Sequence, residues 1–328
     1  MKVTHTIRQT AYTTMIAASL LAAGCDKDDD EQEANTLTIR ETVSAGPDFT
    51  LLEAAVIKAG LAETLNNTPD LTVFAPDDAA FKMLDLNGDG TPDLDTEAKI
   101  NALNTAGVTL LKKVLQYHVL GTRVVASAVP AGPNAPVATL DGENVFATRN
   151  TNGVYINGIK VKSADVNASN GVIHVIEKVL IPSAGTDLVG IAATNPNFTY
   201  LVAAITRADA SGTSITGALK APGPLTVLAP VNQAFIDAGF PTIASIQAAD
   251  PNTLKNILLY HVIPSRVFSS DLTEGAKPAT AGGGTITITL AGGAKVKGNS
   301  NPAASSIIIT NVVASNGVIH AIDKVLLP

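Results

Sequence analysis

The stretch SNGVIHVIEKVLIP at 169–182 returns as SNGVIHAIDKVLLP at 315–328, with eleven of fourteen positions identical. Upstream of each copy, three more pairs recur in the same order. DFTLLEAAVIKAGL (48–61) matches NFTYLVAAITRADA (197–210), LTVFAPDDAAF (71–81) matches LTVLAPVNQAF (225–235), and LQYHVL (115–120) matches LLYHVI (258–263). Order and spacing agree, so the chain is a tandem duplication whose unit, about 145 residues, has the size of a whole domain rather than of a solenoid repeat. The copies are assigned to 37–182 and 185–328. Ser183 and Ala184 are nearly all the linker, which predicts that the two pack closely.

Each copy reads as helices followed by a hairpin-rich sheet, an α+β arrangement. In the first copy Leu51, Leu52, Ala55, Val56 and Ala59 recur at helical spacing, with Asp48 placed to cap the helix and Gly60 to end it. LTVFAP is a short strand stopped by Pro76, and Asp77 or Asp78 then caps a helix through Phe81. Leu110, Leu111, Val114 and Leu115 predict a further amphipathic helix over 109–116. VYINGIKVKSADV and GVIHVIEKVLIP read as strands, and TITITL in the second copy alternates as a half-buried strand does.

Three signatures, each present twice and in order, resemble the fasciclin domain family. They are the TVFAP-type strand with a following Ala-Phe pair (Thr72–Pro76 with Ala80 and Phe81; Thr226–Pro230 with Ala234 and Phe235), the Tyr-His pair (Tyr117-His118; Tyr260-His261) and the NGVIHVID-type strand (Asn170–Glu177; Asn316–Asp323). Glu177 stands where Asp is commoner in that family. The resemblance covers residues 37–328. It implies, for each copy, a β-sandwich or wedge of about seven strands with a helical layer. It also implies extracellular adhesion to cells, matrix or surface polymers rather than catalysis.

The chemistry-bearing residues agree with that. His118, His174, His261 and His320 fall at equivalent places in the two copies, inside apolar runs read as strand-like. Neither metal spacing nor a nearby nucleophile accompanies them, so they read as buried, hydrogen-bonded fold residues, as do Tyr117 and Tyr260. The family resemblance leaves the tyrosines a share in adhesion. No GxSxG, HExxH, Walker or GxGxxG pattern occurs, and Gly282-Gly283-Gly284 precedes a strand rather than a helix, which makes it a turn and not a phosphate cradle. The chain carries a net charge of −7 and no Trp, so nucleic acid is not expected as a partner.

The copies differ in one place. Thr72 to His118 spans 46 positions and Thr226 to His261 spans 35, so the first copy holds about eleven extra residues, and DLNGDGTPDLD (85–95) is the candidate. As an EF-hand-type loop, Asp85, Asn87, Asp89, Thr91 and Asp93 take positions 1, 3, 5, 7 and 9, with Gly90 at the turn. Position 12 is Thr96 rather than the bidentate Glu, flanked by Asp95 and Glu97. The run is either a variant Ca²⁺ loop with a structural role or a polar turn, since Asn-Gly and Asp-Gly favour turns by themselves.

Residues 1–24 have the layout of a secretion signal: Lys2 and Arg8, then the apolar Met15–Ala23, then Gly24. Ala22-Ala23-Gly24 before Cys25, the chain's single cysteine, resembles the lipobox of bacterial lipoproteins, which makes Cys25 the lipidated first residue of the mature chain. Residues 25–36 carry six acids against Lys27 and read as a solvated acidic tether; the same stretch resembles one that directs some lipoproteins to the outer face of the outer membrane. The expectation is a lipid-anchored protein of the bacterial cell envelope, outer-membrane and surface-exposed. It would mediate adhesion through an extracellular protein or polysaccharide. A displayed binding module for polysaccharide or a small apolar ligand is the alternative, and a hydrolase built on the Asp-rich loop the least favoured reading.

Overall fold

The computed structural model describes residues 36–85 and 91–328. Each copy forms one sheet. The first holds β1 (Leu71–Pro76), β2 (Val119–Leu120), β3 (Gly132–Ala138), β4 (Asn144–Asn150), β5 (Gly153–Ile156), β6 (Ile159–Ala168) and β7 (Gly171–Ile176), in the order β2-β1-β7-β6-β5-β4-β3. The second holds β8 (Leu225–Pro230), β9 (Val262–Ile263), β10 (Thr287–Thr289), β11 (Lys295–Lys297), β12 (Ser305–Ala314) and β13 (Gly317–Ile322), in the order β10-β11-β12-β13-β8-β9.

The two strand signatures of each copy lie side by side. β1 runs parallel to β7, Leu71 opposite Gly171 through Pro76 opposite Ile176, and β8 runs parallel to β13 with the same register. The other pairings are antiparallel. β1 and β13 are buried along their whole length, and β7 and β8 at all but one position each, which is why they read as continuous apolar runs without alternation. The glycine that opens each NGVIH strand is required by close approach. A Cβ on Gly171 would lie 2.1 Å from the Leu71 carbonyl oxygen, and one on Gly317 2.3 Å from that of Leu225.

β6 and β12 are ten-residue strands, each broken by two register shifts, with Asp165 and Asn311 at positive φ in equivalent places. Such bulges bend a strand. The bend curls each sheet, so that one face meets the helices and the other closes on itself. Each copy is thus a single curled sheet with a helical layer and two cores, in the α+β class that the sequence predicts. In the first copy the helix-side core includes Leu52, Val56, Leu71, Phe81, Leu111 and Ile173. The inner core includes Phe74, Tyr117, Val145, Ile156 and Ile176. The second copy repeats both.

Three local features differ from the expectation. The helix Thr50–Lys58 starts after Phe49 with no side-chain cap, and Asp48 plays no such part. Asp78 caps it from 28 residues away, accepting the Thr50 hydroxyl at 2.6 Å and the Leu51 N–H at 2.9 Å. Asn232 does the same for Thr199 and Tyr200 in the second copy. The cap is tertiary and so carries no local signal. The predicted 109–116 helix extends over Thr105–Tyr117, because Asn104 caps it by accepting the Gly107 N–H. His118 is the C-cap of that helix rather than a strand residue.

Candidate functional site

The signature residues are brought together as latches. At the end of the helix Thr105–Tyr117, His118 donates through Nδ1 to the Val114 carbonyl at 2.7 Å and accepts the Leu180 N–H on Nε2 at 2.9 Å. In the second copy His261 does the same with Ile257 (2.7 Å) and Leu326 (2.8 Å). Each ring thereby pins the chain segment after its NGVIH strand to a helix end. Both rings are buried among apolar side chains, and that desolvation pushes each pKa down to about 4 against a smaller opposing effect of the carbonyl bond.

His174 and His320 act at the bulges. A bulge leaves a backbone N–H without a ladder partner. His174 Nδ1 accepts that N–H from Asp165 at 3.2 Å, and His320 Nδ1 accepts it from Asn311 at 3.4 Å. The opposite ring nitrogens donate to the Val124 and Val267 carbonyls, both at 2.8 Å. His174 also stacks on Phe74 with ring centroids 5.9 Å apart. Burial lowers the pKa of His320 as well.

Tyr117 donates to the Asn144 carbonyl and accepts Asn157 Nδ2, both at 2.9 Å, and Tyr260 donates to the Thr285 carbonyl at 2.6 Å. Burial drives the Tyr117 phenol well above its ordinary range. All six signature side chains hold the fold.

Two residues inside a signature had no role assigned from the sequence. Asn170 accepts the Ile39 N–H and donates to the Leu65 and Thr68 carbonyls. Asn316 accepts the Leu188 N–H and donates to those of Leu219 and Ala221. Each ties the helical layer to the central strands. Their recurrence before Gly171 and Gly317 was the available signal.

The close packing expected from the short linker is present. The outer face of the first sheet receives the segment after β9. Asn134 Nδ2 donates to the Arg266 carbonyl at 2.8 Å and to Asp271 Oδ2 at 3.1 Å. The Arg266 guanidinium carbon lies 4.0 Å from the centre of the Phe146 ring, and Phe268, fully buried, lies 6.0 Å from it. Gly158 at the β5–β6 turn permits this approach, since a Cβ there would lie 2.7 Å from that of Phe268. Arg266 recurs as Arg123 in the first copy, each bonded to the carbonyl of the glycine that opens its NGVIH strand, but Phe268 and Asp271 stand where the first copy has Val125 and Ala128, so the joint left no trace in the repeat.

Of the candidate calcium ligands, Asp85, Thr91 and Asp93 are described, and Asn87 and Asp89 lie outside the described residues. The Asp93 N–H donates to the Leu84 carbonyl at 2.8 Å. Downstream, Thr96 caps the helix Glu97–Asn101 by accepting the Lys99 N–H, and Asp95 pairs with Lys99 at 2.8 Å, so the position-12 region is committed to a helix start. Among the described residues no three His, Cys, Asp or Glu side chains form a group that could hold a metal ion. Cys25 and the acidic tether lie outside the described residues. No single described helix is long and apolar enough to cross a membrane. Two apolar cavities open in the first copy, one between helices and β1 around Val56, Leu65, Leu115 and Leu140, the other around Phe74, Val129 and Ile156. Each is about 20 Å³, room for little more than one water.

Comparison with known proteins agrees with this architecture. The fasciclin domain model matches residues 47–182 and 196–328. Transforming growth factor-beta-induced protein ig-h3 of Sus scrofa is 29% identical over 258 residues, covering 78% of this chain and 34% of that protein. Protein sll1483 of Synechocystis is 37% identical over 148 residues, covering 45% of this chain and 75% of that protein. Human periostin is 28% identical over 269 residues, covering 82% and 29% respectively. The chain thus spans about a third of the length of the ig-h3 protein and less of periostin. Among solved structures, a FAS1 domain pair from the insect cell adhesion molecule Fasciclin I is 17% identical with a TM-score of 0.39, covering 85% of this chain and 96% of that one. Two curled sheets closed by the same Tyr-His and Asn-Gly-Val-Ile-His residues, both matched by one family model, place this chain in the fasciclin domain family.

Proposed function

We propose that this chain is a cell-surface lipoprotein, anchored through Cys25 and held off the membrane by its acidic tether, whose two fasciclin domains mediate adhesion. Fasciclin domains are modules of cell adhesion and extracellular interaction. The observation that carries the reading is the tandem pair itself, with every signature histidine and tyrosine committed to the fold rather than to a reactive centre. The small volume of the two cavities favours surface contact over enclosure of a small apolar ligand. In this reading the protein has no catalytic activity, sits in the outer membrane and meets an extracellular protein or polysaccharide. Protease added to intact cells removes the chain, and cells carrying it are retained on matrix-coated surfaces more than cells lacking it. Full protection of the chain in intact cells, or equal retention, refutes the proposal.

A further inference from the structure

The face of the first sheet that receives the second domain has an open counterpart on the second sheet, and its residues have changed character. Pairing sets the equivalence. In the first copy Pro136 lies opposite Phe146, and Thr148 opposite Tyr155. In the second, Ile286 N–H donates to the Pro278 carbonyl and Ile288 N–H to that of Ala276, which sets Lys277 opposite Thr287. Thr287 in turn lies opposite Lys297, and Thr289 opposite Lys295. Thr287 thus stands where Phe146 stands, and Lys277 and Lys295 where Pro136 and Tyr155 stand.

Ile286, Ile288 and Val296 point inward and are buried, so the alternate residues Lys277, Thr285, Thr287, Thr289, Lys295 and Lys297 share the outward face. On strand spacings, Lys277 and Lys297 flank Thr287 about 10 Å apart, and Lys295 and Lys297 are about 7 Å apart along one strand. None of the three lysines makes a hydrogen bond or ion pair among the described residues, whereas Lys162 and Lys113 of the first domain pair with Asp77 and Glu143. The two acids of the segment 271–274 have backbone partners of their own: Glu274 accepts the Leu290 N–H, and Asp271 accepts the Phe268 N–H. The second domain, 185–328, has eight basic residues against seven acidic, while the first, 37–182, has eleven against sixteen.

We infer that this Thr/Lys face binds an anionic polysaccharide. Three ammonium groups without a partner among the described residues, spaced on neighbouring strands, match a polymer with a carboxylate on each sugar, and the threonine hydroxyls between them match its hydroxyls. Nucleic acid fits less well. The outward residues include no aromatic side chain to stack a base, and the acidic first domain and tether repel a dense phosphate backbone. The inference rests on the adhesion reading and names the partner chemistry of one face.

The test uses the full mature chain and alginate as probe, with neutral dextran, a single-stranded oligonucleotide and anionic phospholipid vesicles beside it. Alginate is expected to bind, dextran not, and binding should fall at least about tenfold between about 50 mM and about 500 mM salt. Lys277→Glu with Lys295→Glu and Lys297→Glu should weaken it at least about tenfold at unchanged melting temperature. The matched variant Lys82→Glu with Lys112→Glu and Lys178→Glu, on the first domain, should weaken it far less. Absent alginate binding, equal loss in both variants, or tighter binding of oligonucleotide or vesicles overturns the inference. If cells carrying the second-domain variant are still retained on matrix, the site falls and the adhesion reading stands; if wild-type cells are not retained, the adhesion reading itself falls.

Discussion

Lowering the pH from 8 to 5 should weaken this protein through two histidines above all. In the folded chain His118 and His261 have pKa values of about 4, against 6.5 for the exposed side chain. The cause is geometric. Nδ1 already donates to a carbonyl, and Nε2 accepts a backbone N–H, so a second proton must displace the Leu180 or Leu326 bond inside an apolar core. The unfolded chain binds the proton more readily, so stability is full above pH 6.5 and falls as the pH drops toward 4. At pH 5 the difference works out at about 2 kcal/mol for each ring, or about 4 kcal/mol for the pair, an order-of-magnitude figure. His320, lowered by the same burial, adds to it with the same sign. The carboxylates with lowered pKa, among them Asp209 and Asp323, lose their contribution only below the ordinary carboxylate range, so the window from pH 5 to 7 belongs to the histidines. Urea unfolding at steps across that window, with the slope m held constant, reads the loss directly. A His118→Gln, His261→Gln variant should start less stable at pH 7 and show a much flatter profile. Equal stability of the wild type at pH 5 and pH 8, or an undiminished slope in the variant, refutes the argument.

Other outcomes follow from the same coordinates. Gly171→Ala and Gly317→Ala should each lower stability by roughly 2–4 kcal/mol, because the added methyl meets a backbone oxygen that the parallel pairing cannot move; calorimetry on the full chain checks this. A double-mutant cycle between Phe146→Ala and Arg266→Ala should return a coupling of about 1 kcal/mol, and additive effects would remove the interdomain contact from the energetics. Cys25→Ser should abolish fatty-acid labelling and release the chain from membranes; continued labelling and sedimentation would exclude the anchor. If residues 85–93 hold calcium, the mature chain should melt higher in millimolar calcium than in chelator, by up to about 2.7 kcal/mol at a hundred times Kd, and Asp85→Ala should erase the difference. Identical melting curves leave an ordinary polar turn.

The parts legible in the sequence are those where a residue's role depends on its neighbours in the chain or on its recurrence. Duplication exposed the central strands, because a position that must be Gly against a carbonyl, as at Gly171 and Gly317, must be so in both copies. It equally exposed the histidines as fold residues. What stayed hidden depends on partners far along the chain. Asp78 and Asn232 cap helices that begin some thirty residues earlier, and nothing beside Thr50 or Thr199 announces it. His118 sits in the apolar run LQYHVL, which continues across the boundary from helix to β2, and periodicity there does not distinguish a helix end from a strand. Bulges and the curl they impose leave only a weak trace, namely that β6 and β12 are longer than a flat strand of the sheet needs.

The face between the domains shows why a duplicated chain does not simply repeat its surfaces. Contact between the copies is heterologous: one outward face of the first domain meets a different segment of the second. Such a contact can propagate if both partners keep both surfaces. Here neither does. The first domain carries Val125 and Ala128 where the second carries Phe268 and Asp271, so its own free edge lacks the ring that fills the joint and the carboxylate that holds Asn134. The second domain carries Thr287 in place of Phe146, and residues 298–304 in place of the tight Asn157-Gly158 turn that admits Phe268. The face of the second domain equivalent to the one that receives Phe268 carries lysine and threonine instead. The two domains share their histidine latches and differ at this outward face, where the second presents Lys277, Lys295 and Lys297.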